Sequence, residues 1–191
     1  GVQTCALPIS VNSNVNLEID NSTISDNVVR SRDVTPHFAY GVIEITGSII
    51  DSSIAGNVGP STFPQYSYGS PTTVTLQGTI LDSAAGPVCA TPLTSLGHNL
   101  VSDDTCVLTG PGDVQSAPAL LGPLADNGGD TPTRLPFANS PAVDAVPIGT
   151  AGLCDGSAPT DQRGSPRPQG AGCDIGAVEV RRSCGLGAEL A

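Results

Sequence analysis

A chain of 191 residues has room for one domain, or for one domain with an extension. Its formal net charge is −11, lysine is absent and all seven basic residues are arginine, so the surface repels DNA, RNA and anionic membranes, and acidic polysaccharides too unless a cation bridges them. Aromatic residues are only 3% with no tryptophan, which argues against a sugar-stacking carbohydrate-binding module, and no apolar run is long enough to span a bilayer as a helix.

The 23 glycines and 17 prolines suit an all-β, turn-rich fold better than a helical one. At the start of the chain, residues 1–9 (Gly1-Val-Gln-Thr-Cys-Ala-Leu-Pro-Ile9) read as the translation of a common DNA-sequencing adapter and are set aside from fold reasoning. The alternative is a short native strand. Discounting Cys5 leaves Cys89, Cys106, Cys154, Cys173 and Cys184.

Residues 10–116 repeat one grammar. Leu17-Glu-Ile-Asp-Asn-Ser-Thr-Ile-Ser-Asp-Asn27 aligns with Ile43-Glu-Ile-Thr-Gly-Ser-Ile-Ile-Asp-Ser-Ser53 and with Val74-Thr-Leu-Gln-Gly-Thr-Ile-Leu-Asp-Ser-Ala84. Each has an alternating strand, a corner at Asn21, Gly47 or Gly78, a hydroxyl residue, a second short strand and an Asp/Ser turn. Gly97-His-Asn-Leu-Val-Ser-Asp103 is a fainter fourth copy. A repeat of roughly 20–30 residues with strands in the same phase predicts a right-handed parallel β-helix, a solenoid in which each turn buries the apolar face of its neighbour. Leu17, Ile19, Ile45 and Leu76 are its expected inward residues, and Glu18, Glu44, Thr46 and Thr75 its outward ones. An antiparallel sandwich of short strands is the competing architecture. Arg30–Ala39 and Gly59–Pro71, the latter carrying Phe63, Tyr66 and Tyr68, are expected loops.

Cys89 and Cys106, like Cys154 and Cys173, are close in sequence but lack the C-x-x-C spacing of zinc or redox sites. The simplest reading is two local disulfides in an exported protein, with reduced buried thiols as the alternative. Cys184 is then unpaired.

After Thr109 the repeat fades. Ala117-Pro-Ala-Leu-Leu-Gly-Pro-Leu-Ala-Asp-Asn-Gly-Gly-Asp130, Asn139-Ser-Pro-Ala-Val-Asp144, Thr160-Asp-Gln-Arg-Gly-Ser-Pro-Arg-Pro168 and Cys173-Asp-Ile-Gly-Ala-Val-Glu179 follow in order. Motif by motif, about a third of the chain resembles the choice-of-anchor Q family, bacterial secreted or surface-displayed proteins whose upstream part is a right-handed parallel β-helix of pectate-lyase-like type. Asp130 stands where that family usually has proline, and Arg134 where it often has histidine. The resemblance implies an exported location and an architecture, and no reaction. Residues 117–180 are expected to form a Pro/Gly-rich cap over the open end of the β-helix, with Asp161, Arg163, Asp174 and Glu179 pinning it by salt bridges. Residues 181–191 read as a frayed or truncated tail.

Chemistry-bearing constellations are few. Asp51 and Asp82 hold matching places in consecutive copies and, stacked about 5 Å apart, would be the best carboxylate pair for glycoside hydrolysis. The same Asp-Ser pairs are ordinary turn chemistry. His98 with Asp103 and Asp104 is a second acid–base candidate. A lyase would need a basic residue beside clustered carboxylates, and none is evident around Arg30, Arg32 or Arg134. No Gly-x-Ser-x-Gly, Walker or His-Glu-x-x-His motif occurs, and no cofactor is expected. Asp126, Asn127 and Asp130 offer oxygen ligands for a structural calcium ion, without EF-hand or nonapeptide spacing. The reading is therefore a non-enzymatic, monomeric surface protein with an adhesive or passenger role, its partners being extracellular glycans or neighbouring cell surfaces. The alternative is a polysaccharide lyase or glycoside hydrolase whose active coils lie upstream.

Overall fold

The computed structural model describes residues 9–10, 16–26, 43–44, 46–58, 66–67, 70–71, 74–85, 87–89 and 93–181, and among these all regular structure is β-strand. The first repeat supplies β1 (Ile9–Ser10), β2 (Asn16–Asp20) and β3 (Thr23–Ser25). The second supplies β4 (Ile43–Glu44), β5 (Thr46–Ile50) and β6 (Ser53–Val58). A small hairpin, β7 (Tyr66–Ser67) and β8 (Ser70–Pro71), precedes β9 (Val74–Gln77) and β10 (Ile80–Ala85) of the third repeat. The fourth contributes β11 (Thr94–Gly97) and β12 (Leu100–Val101). The terminal segment holds β13 (Leu121–Ala125), β14 (Thr133–Pro136), β15 (Val146–Pro147) and β16 (Gly172–Cys173).

Two four-stranded parallel sheets result, ordered β11-β9-β5-β2 and β12-β10-β6-β3. Each repeat thus lays one strand in each sheet beside the strand of the adjoining repeat. The short β1 pairs with β4, also in parallel. Antiparallel pairing among the described residues is confined to β7–β8, β13–β14, β15–β16 and the Thr160–Pro166 bridge.

Alternation decides the core. Ile19 pairs with Ile49 and Ile49 with Leu76, while Ile24, Ile54, Leu81 and Val101 form the matching row of the other sheet. Both rows turn inward into one cluster. Each such side chain contributes roughly 1.5–3 kcal/mol by leaving water, which no single repeat could gain alone. Glu18 points out and Thr75 is half-buried, as expected. The side chains of Leu17, Glu44, Ile45 and Thr46, and the loop 30–39, lie outside the described residues.

The second repeat is displaced by four residues from the alignment the sequence suggests. Gly47 is not a corner; it lies within β5, opposite Leu17 and Val74. The turns that stack are Asn21-Ser22, Asp51-Ser52, Gly78-Thr79 and His98-Asn99, with φ of 47°, 45°, 58° and 54° at their first residues. Their amides repeat one contact: Asn21 to Ile50 O, Asp51 to Gln77 O and Gly78 to Gly97 O, each at 3.1 Å, then His98 to Pro111 O at 2.8 Å. Asn, Asp and His tolerate left-handed backbone better than other side chains do, which lets them share a column with glycine. The series extends to Gly112-Asp113 through the Leu100–Val114 parallel bridge and the Val114 amide on Asn99 O, 2.7 Å.

The second residues of these turns form a polar column, buried at Ser52, Thr79 and Asn99. The Ser22 amide donates to Ser52 Oγ (3.2 Å), Thr79 to Asn99 Oδ1 (3.0 Å) and Asn99 to Asp113 Oδ1 (2.9 Å). Asp113 ends the column by also accepting from Ser95 Oγ (2.7 Å) and the Gly110 amide (2.6 Å). A carboxylate only accepts hydrogen bonds, so it suits the end of a column where every contact is a donor pointing at it.

Residues 117–180 do not cap the end of the sheets, as the sequence suggests; they lie along their side. Asn21 and Thr23 of the first repeat bond Thr160 and Gln162, at 3.2 and 2.7 Å. Ser53 of the second accepts the Ala177 amide (3.1 Å), and Gly78 O of the third accepts the Gly176 amide (2.8 Å). The physical reason is on the outward face of the second sheet. Its polar row of Thr23 and Ser53 gives way to Ile80 and Leu100, which are fully buried against Ala142, Val146, Leu153 and Ile175. Two outward-facing aliphatic side chains on a sheet need a cover to leave water. Val88, Leu93 and Leu108, with the Cys89–Cys106 disulfide, join the core cluster between the two sheets from the connections of the third and fourth repeats.

Candidate functional site

The motifs of the terminal segment converge on Asp161, whose side chain is entirely buried. Its Oδ1 accepts the amides of Arg163 (2.8 Å) and Ser165 (2.9 Å). Its Oδ2 accepts Arg163 Nη2 (2.7 Å), Arg163 Nε (3.0 Å) and the Glu179 amide (2.9 Å). This charge-assisted arrangement, with two guanidinium N–H groups on the one oxygen, fixes the Thr160–Pro168 turn against Glu179. Arg163 then reaches Asn127 O (3.2 Å) and Glu179 O (2.6 Å), joining the β13–β14 turn to the end of the segment. Gly129, at φ 83°, lies so close to the Arg163 backbone that a Cβ there would sit 2.7 Å from Arg163 Cα. A cavity of about 280 Å³ beside this cluster is lined by Leu135, Arg163, Gln169, Glu179 and Arg181. Four of the five N–H groups of Arg163 are already engaged, by Asp161, Asn127 and Glu179.

A second set of charges is buried where the segment meets the sheet turns. Arg167 donates to Asp174 O (3.0 Å) and Gly176 O (2.5 Å). Asp174 accepts the amides of Asp144 (2.7 Å) and Val180 (2.6 Å), while Glu179 Oε1 accepts the Asp174 amide (2.6 Å). Arg167 lies 3.9 Å from Glu179 Oε1, an ion pair by proximity but too long for a hydrogen bond. Burial outweighs that attraction and, with Asp174 beside it, pushes the Glu179 carboxyl up to about 7. Asp174 is raised too, mainly by burial. Asp51 rises to about 7 by burial, against the pull of Arg167 and with a push from Asp20. Neither Asp51 oxygen has a protein hydrogen-bond partner.

The expected carboxylate pair is not formed. Asp51 is a turn residue whose neighbours in register are Asn21 and Gly78, whereas Asp82 lies in β10 opposite Ala55. The four-residue displacement of the second repeat separates them. Asp82 is raised mainly by burial, with Ser102 and Arg134 opposing. Arg134 itself bonds Ser25 Oγ (2.5 Å), Asp26 and Gly122 O (3.0 Å), so it pins the segment to the first repeat.

His98, Asp103 and Asp104 do not share a site. His98 is a turn residue packed on Gly112. Asp103 accepts from the Val88 amide (2.9 Å) and from Thr105 Oγ1 (2.7 Å), tying the disulfide-bearing loop, while Asp104 is exposed. Asp126, Asn127 and Asp130 form the β13–β14 turn. The Asn127 amide group donates to Thr133 O (2.8 Å), and both aspartates face solvent. Among the described residues no group of three or more His, Cys, Asp or Glu side chains is placed to hold a metal ion.

Cysteine spacing reads correctly. Disulfides join Cys89 to Cys106 and Cys154 to Cys173, with S–S distances of 2.01 and 2.02 Å, a state compatible with an extracellular protein. Cys5 and Cys184 lie outside the described residues. Sequence reasoning assigned no role to Gln162, Arg167 or Asp113. The one signal for Arg167 was a cation inside the Pro-rich Ser165-Pro-Arg-Pro168 turn. No helix among the described residues is long and apolar enough to cross a membrane. Comparison with protein-family models, curated proteins and solved structures finds nothing that matches this chain. What the coordinates define is a class, an all-β protein of stacked parallel repeats buttressed by a disulfide-tied flank.

Proposed function

We propose that this chain belongs to a non-enzymatic bacterial surface protein, a right-handed parallel β-helix of choice-of-anchor Q type that serves as an adhesive or passenger scaffold. One observation carries the reading. The polar residues of the terminal motifs, Asp161, Arg163, Asp174 and Glu179, spend their hydrogen bonds on the fold, while Asp51 and Asp82, the best pair for hydrolysis, are separated by register. Two parallel sheets built one strand per repeat suit a β-helix, and two disulfides suit export. With a charge of −11, the favoured partner is a neutral extracellular glycan or a cell surface presenting one.

The test is a polysaccharide panel, with and without calcium, applied to the full-length protein. The expected outcome is saturable retention on immobilised neutral glycans with no release of reducing sugar. Cleavage of any member would replace this reading with a polysaccharide lyase or glycoside hydrolase, and retention on none would remove the adhesive role.

A further inference from the structure

The junction between the terminal segment and the turn column holds more negative charge than it can neutralise. Asp51 from the second repeat and Asp174 and Glu179 from the segment are each 1–2% exposed, and Arg167, 8% exposed, is the cation shared among them. Asp51 also faces Asp20 of β2; Glu179 faces Asp174, Arg167 and the Gln169 amide; Asp174 faces Asp144 and Arg167. Both Asp51 oxygens, Glu179 Oε2 and Arg167 Nε have no protein hydrogen-bond partner. Arg167 is turned to backbone carbonyls and can balance one carboxylate. Asp174 is best placed to stay ionised, because backbone amides cover both its oxygens. Asp51 and Glu179 are left as groups for which the charged form has no adequate compensation in a dry interface.

We propose that docking of residues 117–180 on the parallel sheets is a proton-controlled latch, held while Asp51 and Glu179 carry protons and loosened as they ionise. The amides that cross the junction lie beside these groups: Gly176 on Gly78 O and Ala177 on Ser53 Oγ. Opening the latch would hydrate the two carboxyls without separating the sheets, whose strands pair independently of the segment. Both carboxyls sit near 7 when docked and return to ordinary acidic values once hydrated, so the docked state binds more protons. Docking is firmest below the ordinary carboxylate range and weakens as pH climbs towards 7, levelling off above it.

Hydrogen exchange on the full chain with both disulfides intact, corrected for intrinsic rates, tests this at pH 5.5 and 8. Protection of the Gly176 and Ala177 amides, relative to the Ile80 and Leu100 amides within the sheet, is expected to fall at least about tenfold from the lower pH to the higher. In Asp51→Asn the fall is expected to shrink severalfold, since the asparagine of Asn21 already occupies the same left-handed turn. Asp51→Gly, matching Gly78, gives the same reading if the asparagine variant does not fold. A protection ratio that is constant with pH, or that changes as much in these variants as in the parent, overturns the latch.

Discussion

Asp51 occupies a turn position that asparagine, glycine and histidine fill in the neighbouring repeats, and of these side chains only its own is an uncompensated carboxyl. Removing the charge while keeping the shape should help the fold. Asp51→Asn is expected to raise stability at pH 8 by about 1–3 kcal/mol, read as a higher urea midpoint, and to change little at pH 4. Asp161 is the opposite case, a buried carboxylate saturated with donors. Asp161→Asn aims an amide group at N–H donors and strands Arg163, so a loss of about 3 kcal/mol in chemical denaturation is expected. Gly176 has φ 97°, and a Cβ there would meet Ser53 Oγ at 2.7 Å and Ile80 Cδ1 at 2.8 Å. That φ is one L side chains rarely adopt, and Ser53 and Ile80 are both buried, which explains a glycine between two buried apolar residues.

At the scale of strands, alternation made the inward rows readable before any coordinates: Ile19 and Leu76 are buried as the period-2 rule requires. It could not place the second repeat. Sliding Ile43–Ser53 by four residues leaves every side chain on the same face, and both Gly47 and Asp51 accept a left-handed turn. Pairing of Ile24 with Ile54 and of Ile54 with Leu81 decided between the two. That slip also dissolved the Asp51–Asp82 pair. The outward Ile80 and Leu100 were the sign of a covering layer, because aliphatic residues broke a row of hydroxyls. Ile80→Ala is expected to cost about 2–4 kcal/mol and to speed proteolysis of residues 117–180 ahead of the sheets. Equal cleavage rates across the chain would count against a separable flank.

For the molecule as a whole, the disulfides and the buried acids set its response to conditions. Each bridge closes a loop, of 17 and 19 residues' separation, and is expected to contribute about 3 kcal/mol by restricting the unfolded chain. Replacing Cys154 and Cys173 together by alanine should lower the urea midpoint by that order and act mainly on the flank; the Cys89–Cys106 pair should act on the core between the two sheets. The acids act in a defined direction. Glu179 and Asp51 are raised from 4.5 and 3.8 to about 7, so the folded state holds more protons between those limits. Stability therefore falls as pH rises through that window, and protonation also relieves the repulsion of a chain at −11. A thermal midpoint several degrees higher at pH 5 than at pH 8 is expected in scanning calorimetry.

The sequence by itself determined what local chemistry controls: strands of alternating residues, turns rich in Asn, Asp and Gly, nearby cysteine partners, and a formal charge of −11. Only the tertiary structure decided the register of the second repeat, the flanking position of residues 117–180, and the meeting of Arg167 with Asp51 on one side and Glu179 on the other. Those outcomes depend on residues far apart in the chain competing for one surface. Periodicity within a strand says which face is apolar, but what comes to cover that face is settled by packing between segments.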